Sequence, residues 1–316
     1  MIRGMVCRNR KAFAARCLIV WLAGFGGRPA RVAVGATIDS VVNQSTPEAK
    51  VRSDGAGANS DRSPTPVSFD LRERYQIVVR GAVAGLEGLN LLIDTGSVPS
   101  MVDRRVAKKL GLDVQQFGIV AFGQKSRALT TVLPSILLGP LRADAVTAGI
   151  GDLSFLHGVD AIIGLDVLAQ SSFSIDYNVK QVTFGPLAAH ERTIPLEFTP
   201  PFLTVQLALA GRPVRLLVDT GIRRLVLFER RVRDRIPHLT VRGELVMYHI
   251  SGTAHLRRVL LPRLDAGGIA IEHLEAFLSD ASVEGYPAGI DGVLGVRALA
   301  PKRAEFDFER NRFGFQ

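Results

Sequence analysis

The chain has 316 residues, of which 47% are hydrophobic and 22% charged, with 31 glycines and 16 prolines. This balance describes a chain with a packed core, long enough for two small domains, and excludes a low-complexity or disordered polymer. The net charge is +9, yet residues 1–36 hold seven of the 39 bases (Arg3, Arg8, Arg10, Lys11, Arg16, Arg28, Arg31) and none of the 30 acids, leaving 32 bases against 30 acids elsewhere. The body is therefore near neutral, and a nucleic-acid partner is not expected.

The first 36 residues read as a targeting element. A basic stretch to Arg16 precedes the apolar run "CLIVWLAGFG", Cys17–Gly26, and small residues follow at Val34–Ala36. The run is too short to span a bilayer comfortably and suits the core of a signal peptide or an N-terminal anchor, so the expected location is periplasmic or extracellular. A membrane enters only through this segment. Both cysteines, Cys7 and Cys17, lie in it. The body thus has no disulfide, no thiol nucleophile and no thiolate metal site. Residues 37–66 are rich in Ser, Asn, Asp, Gly and Pro without apolar periodicity and read as a flexible linker, with folded structure starting near Val67.

An internal repeat follows. The first copy has "QIVVRGAVAG" and "LNLLIDTG", a variable middle, then "DAIIGLDVLAQSSFSIDYNVKQVTF". The second has "LTVQLALAG" and "VRLLVDTG", another variable middle, then "DGVLGVRALAPKRAEFDFERNRFGF". Asp94 and Asp219 are 125 residues apart, whereas Asp160 and Asp291, Gly164 and Gly295, and Asp176 and Asp307 all differ by 131. Such constant offsets mark duplication, with the extra six residues in the second middle. Short β-branched runs bounded by Gly, Pro and Asp predict strands throughout. Helices are expected at "DRRVAKKLG", with Asp103 as cap and Gly111 as stop, and briefly at "LDVLAQ" and "VRALAP". The fold class is all-β: two pseudo-twofold-related lobes, 67–195 and 196–316, with a site between them.

Each apolar strand delivers a carboxylate, a hydroxyl and a glycine: Asp94-Thr95-Gly96 and Asp219-Thr220-Gly221. One such triplet is ordinary turn chemistry. Two, at matching places in a repeat, put two acids where a pseudo-twofold axis brings them together. Such a pair shares one proton, so its ionised member can activate water while the protonated member polarises a carbonyl. Thr95 and Thr220 can lock the loops across the axis. Gly96 and Gly221 let backbone approach the carboxylates. The blocks Ile162-Ile163-Gly164 and Val293-Leu294-Gly295 can brace the loops from beneath.

These motifs, in this order over about Val67–Gln316, resemble the aspartic peptidases of the pepsin and retropepsin type. The resemblance implies two β lobes, a dyad of Asp94 and Asp219, a single chain working as a monomer, an extended peptide or protein substrate under a flap, and no cofactor or metal. It makes the chain an endopeptidase; the alternative is a peptide-binding module whose dyad is blocked or inactive. Ser97 is expected to bond the outer oxygen of Asp94, while Ile222 offers no such bond. Arg223 and Arg224 follow in the second copy, where they are expected to face solvent or a neighbouring acid rather than the dyad. Flap tips are sought in Phe122–Arg127 and His249–His255, with Gly123 and Gly252 at the turns. Tyr248 is expected to be a packed strand residue. Asp160, Asp166, Asp176, Asp291 and Asp307 read as turn, cap or ion-pair residues. The six histidines show no metal-ligand spacing, and neither H-E-x-x-H nor G-x-S-x-G is present.

Overall fold

The computed structural model describes residues 14–16, 21–22, 65–121, 124–188, 192–236, 239–249, 252–280 and 286–316. Most of the proposed targeting segment and linker, and the residues at both hairpin tips, lie outside these ranges. The described body is mostly strand, with a few short helices.

The two halves are built alike. In the first, Gln76–Val83 and Leu86–Ile93 form a hairpin, and Ala161–Ile163 runs parallel to Leu91–Ile93 while pairing antiparallel with Met101–Val102. In the second, Phe202–Leu209 and Arg212–Asp219 form the hairpin. There, Gly292–Gly295 runs parallel to Leu216–Asp219 and antiparallel to Leu225–Leu227. Ala161–Ile163 and Gly292–Gly295 are central strands with both faces buried, which is why they are continuous runs without polar residues. Ile93, Ile163, Val218 and Leu294 are all fully buried.

A six-stranded antiparallel sheet joins the halves. Its order is Pro66–Arg72, Gln181–Phe184, Phe173–Asp176, Arg303–Asp307, Arg312–Phe315 and Thr193–Thr199. In the central pair Ser174 stands opposite Glu305. These are equivalent positions of the repeat, 131 residues apart, so the pseudo-twofold axis passes between them. Phe173 stacks on Phe306 at 4.7 Å between ring centroids, and both are fully buried. Aromatic packing thus seals the junction between halves.

The helix Arg104–Leu110 has the expected boundaries. The Asp103 side chain accepts from Arg105 N at 2.8 Å, and Gly111 closes it at φ 61°. The short helix Leu165–Leu168 forms, but Val296–Leu299 is a single 3-10 turn. Pro301 lacks the N–H that an α-helix would send to the Arg297 carbonyl, so the turn ends at Ala300.

Each half projects a long hairpin. Gln115–Ala121 pairs with the start of Gln124–Leu138, the last pair being Ala121 with Gln124. Val241–His249 pairs with the start of Gly252–Ala266, the last pair being His249 with Gly252. Gly252 therefore opens the return arm and does not sit at the tip, and Gly123 is outside the described residues. Tyr248 is a strand residue opposite Thr253. Two N-terminal strands add to these hairpins: Ala14–Arg16 runs parallel to Val246–Tyr248, and Trp21–Leu22 antiparallel to Ile119–Val120. No helix among the described residues is long and apolar enough to cross a membrane.

Candidate active site

The hairpin strand of the first half ends at Ile93, directly before Asp94, and that of the second half ends on Asp219. Asp94 N donates to Ile163 O at 3.0 Å, and Asp219 pairs in parallel with Gly295. Because Ile163 and Gly295 belong to the apolar-apolar-Gly blocks, those blocks set the height of each acid. Gly164 and Gly295 also lie directly against the loops. A methyl on Gly164 would overlap the Ser97 carbonyl, and one on Gly295 would overlap the backbone at Ile222–Arg224. Leu165 N donates to Ser97 O at 2.9 Å, and Gly295 N to Arg224 O at 3.1 Å.

Across the axis the loops exchange hydrogen bonds. Thr95 N donates to Thr220 Oγ1 and Thr220 N to Thr95 Oγ1, both at 3.1 Å. Each hydroxyl then donates at 2.9 Å to the carbonyl before the opposite aspartate, Thr95 to Val218 and Thr220 to Ile93. The inner carboxylate oxygens are also held. Gly96 N donates to Asp94 Oδ1 at 2.9 Å, and Gly221 N to Asp219 Oδ1 at 2.6 Å. The outer oxygens face the opposite loop. A methyl on Gly221 would overlap Asp94 Oδ2, and one on Gly96 would overlap Asp219 Oδ2. Only glycine leaves room for the two carboxyls to meet.

Both acids are fully buried, and neither Oδ2 has a hydrogen-bond donor from the rest of the protein. The two carboxyls lie within hydrogen-bonding reach of one another once one of them carries a proton. Burial is the largest influence on both. It lifts Asp94 to about 7, against the pull of Asp219 and the Gly96 and Ser97 N–H groups. Asp219 is pushed well above the usual range, by burial and then by the Asp94 charge. These shifts belong to the pair, which holds a proton through the mildly acidic range. No arginine is among the main influences on either acid.

The Ser97 hydroxyl does not bond Asp94, although the Ser97 backbone N–H donates to Asp94 O at 3.2 Å. The hydroxyl donates to Pro99 O at 3.1 Å, because Asp94 Oδ2 is turned across the axis toward Gly221. Ile222 packs in the apolar cluster with Met247, Ala254 and Leu256 of the second hairpin. Arg224 pairs with Glu275 at 3.0 Å. Arg223 is half-buried and forms no ion pair with an acid among the described residues.

The other acids have structural partners. Asp160 and Asp291 accept the backbone N–H groups of Asn90 and Arg215 at 2.9 Å. Asp176 and Asp307 hold turns through Asn178 N and Arg310 N. Asp166 does more than a turn or cap residue. Its carboxylate accepts Ser100 N at 2.9 and 3.0 Å and Ser100 Oγ at 2.8 Å, while Ser100 Oγ accepts Gly164 N at 2.9 Å. This clamp binds the glycine block to the Asp94 loop, and burial raises the Asp166 carboxyl. A signal for it was present in the repeat: Ser100 and Asp166 are replaced together, by Leu225 and Arg297. Among the described residues no group of three or more His, Cys, Asp or Glu is placed to hold a metal ion.

No curated protein matches the chain. Among solved structures it is similar to a retropepsin-like aspartic protease from Rickettsia conorii, with 17% identity over 39% of this chain and 90% of that one, at a TM-score of 0.30. The sequence pattern of the aspartyl proteases matches residues 79–167 and 205–298, more than half of the chain and one segment from each copy of the repeat. The chain belongs to the aspartyl protease family.

Proposed function

We propose that the protein is an aspartic endopeptidase in which one chain supplies both catalytic acids, Asp94 and Asp219, and which works as a monomer. The observation that carries this reading is the buried carboxyl pair itself: two acids, each fixed on one oxygen by a loop N–H, each with its second oxygen turned toward the opposite acid loop. In the resting state one carboxyl is ionised and the other protonated. The ionised member takes a proton from water as the water oxygen attacks the peptide carbonyl carbon, and the protonated member gives its proton to the carbonyl oxygen. The tetrahedral diol then collapses. Its hydroxyl proton returns to a carboxylate, the amide nitrogen receives a proton from the other carboxyl, and the C–N bond breaks. The pair ends with one proton, as it began.

The substrate is an extended peptide. Both hairpins already accept an added strand from the N-terminal segment, the mode by which main-chain hydrogen bonds hold a peptide regardless of sequence. The acids have no exposed surface, so substrate and water reach them only when the segments around them move apart. The basic and apolar pattern of residues 1–36 supports export, with the body periplasmic or extracellular or tethered by that segment. N-terminal sequencing of the protein recovered from fractionated cells tests that placement.

The test of the chemistry is digestion of an unfolded protein by the wild type, Asp94→Asn and Asp219→Asn. The reading expects cleavage by the wild type alone, with all three chains folded. Cleavage surviving in both variants removes the dyad from the mechanism. A folded wild type that binds peptide without cutting it identifies a binding module instead.

A further inference from the structure

One of two equivalent places in the repeat is filled by a side chain and the other is a cavity. In the filled place Arg297 lays its guanidinium over the Tyr177 ring, 4.4 Å from the ring centre, and donates to Pro301 O at 2.9 Å. The equivalents of Arg297 and Tyr177 are Asp166 and Phe308, each 131 residues away like the other matched ends of the repeat. Asp166 and Phe308 line a cavity of about 460 Å³, counted with the solvent at its mouth. Its walls are apolar. Val98 of the first acid loop and Leu165 are buried, while Phe198 is 42% exposed and marks the side open to solvent.

Asp166 is the one ionisable group among the described residues of this lining, and none of them is a base. Its Oδ1 accepts from Ser100 N and Ser100 Oγ, and its Oδ2 from Ser100 N. A carboxylate has about four acceptor positions, so Oδ2 keeps one to spare. No cation is among the main influences on this carboxyl, which burial raises. A carboxylate held against apolar walls without a counter-ion costs free energy, and a cation brought to it recovers part of that cost.

The cavity therefore offers an acid, the ring of Phe308 and apolar walls for an aliphatic stem. That combination suits a long basic side chain. The other half shows which head group the geometry accepts, since Arg297 sets a guanidinium on the equivalent ring. We propose that this cavity binds an arginine side chain presented by a peptide partner, with its guanidinium over Phe308 and the Asp166 carboxylate as its counter-ion. The site is distinct from the Asp94–Asp219 pair and does not depend on the endopeptidase reading. It bears on the first acid loop all the same, because Asp166 holds Ser100 and Leu165 N donates to Ser97 O.

The experiment titrates the full chain with capped Gly-Gly-X-Gly-Gly peptides in which X is arginine, lysine or citrulline. Citrulline keeps the shape of arginine and removes the charge. Binding is followed by the NMR signal of the Ser100 amide, which donates to Asp166. The arginine peptide is expected to bind at about millimolar concentration and about tenfold more tightly than the citrulline peptide, with lysine between them. Asp166→Asn should bring arginine and citrulline level. Ala169→Leu puts a larger side chain into the cavity lining and leaves the Asp166–Ser100 hydrogen bonds in place, and it should abolish binding of all three. If Asp166→Asn does not fold, Ala169→Leu carries the test. Equal affinity of the wild type for arginine and citrulline peptides, undiminished arginine binding by folded Ala169→Leu, or no movement of the Ser100 signal up to about 20 mM peptide overturns the inference.

Discussion

Thr95 and Thr220 satisfy one another across the pseudo-twofold axis: each backbone N–H donates to the other's hydroxyl oxygen at 3.1 Å, and each hydroxyl donates onward into the opposite half at 2.9 Å. No single half can complete this exchange. Removing either hydroxyl, in Thr95→Ala or Thr220→Ala, leaves one N–H and one carbonyl without partners in a buried place. The expected loss is about 2 to 5 kcal/mol in denaturant unfolding. Thr95→Ser keeps the oxygen and is expected to lose much less.

Gly96 and Gly221 are required for a different reason. A methyl at either position would overlap the carboxyl of the opposite acid. Gly96→Ala is therefore expected to push Asp219 away from Asp94, with peptide cleavage falling at least about 100-fold, for a stability loss of only about 1 to 3 kcal/mol. Separated acids no longer share a proton. Residual activity should lose the raised alkaline limb of its pH profile, an outcome that a mere packing defect would not give.

The acid loops were legible in the sequence because duplication prints each signal twice. An apolar strand running into Asp-Thr-Gly is ambiguous alone and informative when Leu91–Gly96 and Leu216–Gly221 recur within a repeat. The helix after Asp103 was legible because its cap and its stopping glycine are local signals. What escaped was set by partners distant in sequence. The pairing of Phe173–Asp176 with Arg303–Asp307 joins the halves, yet no local periodicity encodes which strands meet across an axis. The bond from the Ser97 hydroxyl to Asp94 is an expectation of the family resemblance, but the direction of Asp94 Oδ2 is set by the opposite loop. Asp166 reads as an ordinary turn, cap or ion-pair residue from its local sequence, yet it has no counterpart in the second copy, where Arg297 stands. That asymmetry was itself the clue, since Ser100 is absent there too.

The Asp166–Ser100 clamp holds the first acid loop and has no counterpart in the second half. Asp166→Ala removes the acceptor from Ser100 N and Oγ, and about 1 to 3 kcal/mol of stability should go with it. Asp166→Asn keeps one acceptor and should fall between Ala and wild type in thermal unfolding. Asp166 touches neither acid, so its effect on cleavage should appear in kcat, through a loosened Asp94 loop, with KM little changed. A large KM change with kcat intact would instead place Asp166 in substrate binding.

The raised acids make a prediction whose sign is opposite to that of an ordinary salt-bridged carboxylate. Burial lifts Asp94 from 3.8 to about 7 and Asp219 well above 3.8, so the folded protein holds a proton that the unfolded chain has released. Folding is then favoured most at or below about pH 4, where both states are protonated. Stability declines as pH rises toward and through the folded values, because folding must take up a proton from an ever more dilute supply. Asn carries no ionisable proton, so Asp94→Asn and Asp219→Asn escape part of this penalty. Thermal unfolding should find each variant close to wild type near pH 4 and more stable by about 2 to 4 kcal/mol near pH 8. Cleavage by the wild type should follow the same proton. It should rise as pH approaches about 7, where the first of the two raised carboxyls ionises and the pair comes to hold one proton, and fall at higher pH as the second proton leaves. Variants that show no stability gain on going from pH 4 to pH 8 would mean that neither carboxyl is raised in the folded protein, and the shared proton would have to be abandoned.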